Sequence, residues 1–275
     1  MLAKLIKYDM KSQSKIFTSM YIFDLILAVF SMILSKVSHS YPKNYVLNAI
    51  DTLFFAALII GLVVTAVVTL ILTVMRYRTN LLRDEGYLMH TLPVKVSQLY
   101  FSKLISSLLW FTIYGVVVYI VVSIKFLDFT WIVKFISDLM KESGGQEIGV
   151  TKIFVMMIFY FLVALVVSLT QFFAALNTGY SLNIRREGSV NKDILSIIVY
   201  ILSYVLIQVM SLIGIAVDIF IKRIDMNTAA SAMTDAEAMS IMTGVLSTQM
   251  VIFILLGIFF GTVSIMSMKK RLNLE

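Results

Sequence analysis

The sequence predicts an all-α membrane protein with six transmembrane helices, and three observations predict it. The 275 residues are 60% hydrophobic and only 14% charged, whereas a soluble domain carries about 25% charged residues. Mean hydropathy is +0.93. The apolar residues gather into six runs, each near the ~20 residues a helix needs to cross ~30 Å of hydrocarbon. Between the runs no stretch is long enough to build a packed core, so a single transmembrane domain over 1–275 is expected, with nothing appended.

The opening stretch MLAKLIKYDMKSQSK is too polar for a cleavable signal. Leu2, Leu5, Ile6 and Met10 recur at helical spacing, while Lys4, Lys7, Lys11 and Lys15 gather on another face. Residues 1–15 are therefore expected to form an interfacial helix on the inner leaflet.

The spans are expected at about 16–36, 52–75, 100–124, 153–177, 194–221 and 246–268. Only Asp24 interrupts the first. The second is uncharged between Asp51 and Arg76, and Lys103 and Lys125 bracket the third. The fourth turns polar at QFFAALNTGYSLN and is expected to leave the bilayer near Asn177. The fifth ends at Asp218, which stands at i,i+4 spacing from Lys222 and invites an interfacial ion pair. In the sixth, Gly257 and Gly261 match the GxxxG close-packing pattern, within one subunit or between two.

Two connections carry patterns of their own. In FLDFTWIVKFISDLMKESGG, Asp128 or Thr130 is placed to cap a helix that puts Trp131, Phe135 and Leu139 on one face and stops at Gly144. It reads as an aromatic interface anchor or, in the alternative, a substrate gate. The Ala- and Met-rich KRIDMNTAASAMTDAEAMS suits short helices.

An even number of spans puts both termini on one side. Fifteen of the 23 Lys and Arg residues fall on that side: four in the N-terminal segment, five between Arg76 and Lys103, then Arg185, Arg186 and Lys192, and last Lys269, Lys270 and Arg271. Positive charge marks the cytoplasmic face, so both termini and the 76–103 segment are expected there. The net charge of +7 follows from this bias rather than from nucleic-acid binding, and a multi-pass position in the cytoplasmic membrane, in contact with lipid, is expected.

Missing chemistry narrows function further. No cysteine is present, which removes thiolate nucleophiles, disulfides and Cys-ligated metals. None of the 12 glycines precedes a lysine, so no Walker A loop exists. His39 and His90 fall on opposite sides of the membrane, which excludes a paired-His metal site and makes a Ser-His protease a poor fit. No catalytic residue and no metal site is expected, and this chain does not read as an enzyme.

Two places remain. Asp24 lies about 13 Å into its span as measured from Lys15 at 1.5 Å per residue, where a carboxylate needs a partner or water. It reads as a cavity-lining group or as one paired with an interfacial lysine. The other place is RDEGYLMHTLPV, residues 83–94. Helical propensity runs from Arg78 to Leu92, Gly86 interrupts it and Pro93 ends it. Ser97 is placed to cap the helix that enters span three through Lys103. A short helix held by a Gly/Pro elbow, with leucines, a tyrosine and an acidic cluster, suits a groove in another protein.

Arg83-Asp84-Glu85-Gly86-Tyr87-Leu88, then Thr91-Leu92-Pro93-Val94, then Leu99 and Ser102-Lys103-Leu104 together resemble the intracellular loop between spans two and three of type-2 ABC transporter permeases. Tyr87 stands where Thr is common in that family. Six spans, an interfacial N-terminal helix and two cytoplasmic ends extend the likeness along the chain. The resemblance implies a cytoplasmic coupling helix within segment 76–98. By it, Arg83, Asp84, Glu85, Gly86, Tyr87, Leu88, Thr91, Leu92 and Pro93 would form the interface with cytoplasmic ABC ATPase subunits, Pro93 and Lys103 fixing the elbow.

A second permease subunit, identical or paralogous, would complete the transporter. ATP and Mg would sit on the ATPase, leaving no cofactor in this chain. Few polar groups in the spans favour an amphipathic or hydrophobic export substrate: a peptide, an antibiotic or a lipid. The competing functions are a non-transporting scaffold or sensor, and an ion-gradient-coupled carrier that depends on Asp24.

Overall fold

The structure, a computed structural model, describes residues 2–83, 86, 89, 91, 93–126, 130, 134, 137–138, 147–182, 191–222 and 235–270. Among them are six long helices and no strand: α1 Leu2–Ser40, α2 Tyr45–Leu82, α3 Val96–Phe126, α4 Glu147–Leu182, α5 Lys192–Lys222 and α6 Asp235–Lys270. All six are long and apolar enough to cross a membrane, which makes the chain a multi-pass helical membrane protein. Their outward faces are apolar and exposed, as at Leu53, Val63, Leu212 and Leu255, where lipid replaces water.

The helices outrun the hydropathy runs. With 31 to 39 residues each they measure roughly 46–58 Å, against ~30 Å of hydrocarbon. Polar turns stay helical beyond the apolar runs because no proline interrupts them, and a glycine such as Gly179 is carried within its helix. α1 holds neither, so the boundary expected at residue 15 is no break; the basic segment and the first span form one continuous helix. The first proline, Pro42, follows the end of α1, and Asn44 then caps α2, its Oδ1 accepting from the N–H groups of Val46 (3.1 Å) and Leu47 (3.3 Å).

α3 opens at Val96, just past the bends at Pro93 and Val94. The carbonyl of Lys95 accepts the first helical bonds, from Gln98 (2.8 Å) and Leu99 (3.3 Å). Ser97 is thus already inside the helix and is not its cap. α4 runs through Asn177 to Leu182, so the helix itself does not end where the span was expected to leave the bilayer. Asn177 is fully buried and donates to the Ser264 hydroxyl, and pairing of this kind lets a polar run stay helical.

The described chain falls into two compact units. The first spans residues 1–77 and 92–134, the second 78–91 and 135–275. In the first, α1 buries Phe17, Tyr21, Asp24, Ala28 and Ser31 at three- and four-residue steps, one stripe of a helical surface that Asp9 extends about two turns earlier. That stripe packs closely on α3, while α2 joins them chiefly through side chains. Phe17 meets Trp110 edge-on at 4.7 Å, and Ala28, Leu58, Val117 and Val121 complete the core. In the second unit α4 packs most closely on α6, then on α5, around Val167, Ala174, Ile207, Leu256 and Phe260.

Candidate functional site

Segment 83–93 begins where α2 stops. Arg83 forms a bend, and the Gly86 N–H donates to its carbonyl at 2.6 Å. Gly86 is buried, Met89 half-buried, and Thr91 and Pro93 are exposed. Asp84, Glu85, Tyr87, Leu88 and Leu92 lie outside the described residues, as do Arg185 and Arg186 of the next basic connection.

What holds the start of the segment is Asp193, in the second unit. Arg78, one turn from the end of α2, forms an ion pair with its Oδ2, and Arg83 reaches the same oxygen at 3.3 Å. The Tyr180 hydroxyl accepts from Arg78 Nε at 2.9 Å and donates to Asp193 Oδ1 at 2.8 Å. Lys192 lies 6.0 Å from the Tyr180 ring, within reach of a cation–π contact.

Local sequence sets this node. Asn191 caps α5, its Oδ1 accepting from the Asp193 N–H at 3.1 Å, which puts Asp193 in the first turn, where the helix dipole favours an acid. Gly179 lets α4 meet the start of α5, since a Cβ there would fall 2.6 Å from the Ser196 backbone. Sequence reasoning passed over Asp193 and Tyr180. The available signal was an acid directly after an Asn cap in a basic connection.

At the expected elbow, Lys103 is 3% exposed and forms an ion pair with Asp9 of α1. Asp9 was also missed, although it is the only acid among the first 23 residues. One turn along α1, Ser12 accepts a hydrogen bond from Arg76. At the other end of the unit Lys125 reaches Asp51 at 3.2 Å and the Ser31 carbonyl at 3.2 Å.

Asp24 is fully buried among α1, α2 and α3, and among the described residues no lysine forms an ion pair with it. Thr65 donates to its Oδ1 at 3.2 Å. Gly257 packs inside the chain, a Cβ there falling 3.2 Å from Val167. Gly261, one turn on, is half-buried.

Asp218 is buried and accepts from Thr248 at 2.9 Å; the side chain of Lys222 is outside the described part. The backbone N–H of Lys134 donates to the Thr130 carbonyl at 2.9 Å in the amphipathic stretch after α3, whose Asp128, Trp131, Phe135, Leu139 and Gly144 are not among the described residues. Those residues that are described hold no group of three acids or histidines able to bind a metal.

The second unit also carries an apolar groove of about 230 Å³, lined by Ala174, Thr178, Leu202, Leu206, Phe259 and Val263 among others. Six membrane-crossing helices with a charged node at one end define a multi-pass membrane protein. Compared with protein families, curated proteins and solved structures, the chain gives no significant match.

Proposed function

We propose that the chain is the membrane-spanning permease subunit of an ATP-driven exporter of the type-2 ABC class, with both termini in the cytoplasm. The ATPase is a separate chain, and a second permease, identical or paralogous, completes the assembly. The substrate is amphipathic or hydrophobic, a class that the apolar groove of the second unit suits.

The observation that carries this reading is segment 83–93. Its residues have the order of a coupling loop, and its start at Arg83 is held by a partly exposed ion-pair node rather than left as a free tether. A force applied to a short helix moves a bundle only if the helix is fixed to it, and Asp193 and Tyr180 supply that fixing. Asp24 is the one feature that favours the gradient-coupled carrier as an alternative.

Glu85→Arg combined with Leu88→Asp tests the reading. The variant is expected to insert normally, to lose its co-purifying ATPase and to lose nucleotide-dependent transport. Unchanged co-purification with undiminished transport would refute the assignment.

A further inference from the structure

We propose that Asp24 is a proton-binding carboxyl, holding a proton in the resting fold and exchanging it along the seam between α1 and α2. The proposal does not depend on ATPase coupling.

Asp24 has no exposed surface, and each element packed against it offers little. On α2, Thr65 gives its single hydroxyl proton to Oδ1, and Gly61 presents only backbone, a Cβ there falling 3.6 Å from Oδ1. Tyr21 on α1 and Tyr114 on α3 are the titratable groups that face it. Each has committed its one phenolic proton to a backbone carbonyl, Tyr21 to Trp110 at 3.3 Å and Tyr114 to Leu62 at 2.6 Å. The two buried lysines of this unit are taken by other acids, Lys103 by Asp9 and Lys125 by Asp51.

Asp24 Oδ2 is left with no donor at all. A buried ionised carboxyl with one hydroxyl donor and no paired lysine is far costlier than the neutral acid. A metal ion would need further oxygen ligands, and among the described residues no group of three acids or histidines stands ready to hold one. A proton is the ligand this geometry fits.

The exchange route is a file of buried polar groups. Thr69 and Thr73 follow Thr65 on α2 at four-residue steps, 0% and 2% exposed. Thr69 stands beside the Tyr21 hydroxyl. Thr73 Oγ1, Trp110 Nε1 and Gln13 Oε1 have no hydrogen-bond partner, and the file ends near the Ser12–Arg76 contact. Leaving such groups buried and unpaired is costly, and native seams retain them where water threads between helices.

Infrared difference spectroscopy of the full chain in lipid tests this. Wild type should show a neutral carboxylic-acid C=O band at neutral pH that is absent from Asp24→Asn, with Asp24→Asn folding as wild type does. Thr73→Val should slow H/D exchange of that band several-fold. In parallel, dicyclohexylcarbodiimide should form an N-acylurea on Asp24 of the wild-type protein, mapped by peptide mass spectrometry and suppressed at alkaline pH. Identical wild-type and Asp24→Asn spectra, an Asp24→Asn chain that fails to fold, or absence of both band and adduct would overturn the proton site. Unchanged H/D exchange in Thr73→Val would overturn the route. The Glu85→Arg/Leu88→Asp result has no bearing on any of these readouts.

Discussion

The Asp9–Lys103 pair is the sharpest case at the scale of single residues. Both side chains are almost wholly buried, so removing Asp9 takes a buried counter-charge from Lys103. Asp9→Ala is expected to destabilise the chain by about 3–5 kcal/mol, while Asp9→Leu with Lys103→Met recovers most of the loss. Unfolding in detergent, followed for both variants, checks the pair. Lys103 was legible in the sequence as the basic entry to the third span, but its partner was not. The two residues lie 94 positions apart, and Arg78 and Asp193 lie 115 apart. Hydropathy and local spacing carry no information about which distant acid a buried base will meet.

For the helices, existence and number were legible and the ends were not. The expected 52–75 became Tyr45–Leu82 because hydropathy reports the part immersed in lipid, whereas helicity continues until a proline or a cap intervenes. Pro42, Asn44 and Pro93 were readable signals of that kind. Asn177 sits inside a continuing helix because its polarity is satisfied by Ser264 on another helix, which local sequence cannot show. The contact of α4 with α5 gives a prediction at this scale. Gly179→Ala puts a methyl group against the Ser196 backbone and is expected to cost about 1–3 kcal/mol. The matched Gly115→Ala meets nothing within 4 Å and should be neutral or stabilising by up to ~1 kcal/mol. The difference between their unfolding midpoints checks the close approach.

For the whole molecule, the absence of cysteine makes orientation directly measurable, since any introduced thiol is unique. Lys43→Cys and Lys95→Cys sit at exposed positions in the first and second connections. With a membrane-impermeant maleimide, Lys43→Cys should be labelled in intact cells and Lys95→Cys only after permeabilisation; the reverse pattern would invert the assigned topology. The expected orientation rests on charge bias, whereas the division into two units was not legible in the sequence, because it depends on which helices pack. The Asp24–Thr65 contact bears on biogenesis as well. A carboxyl at the centre of a span raises the cost of inserting it by ~2.5–3.5 kcal/mol, and α1 is the least hydrophobic of the six helices while α2 is the most. α1 therefore enters the bilayer as the reluctant member of a hairpin, and Thr65, arriving with its more willing successor, brings the first hydrogen bond its acid receives there.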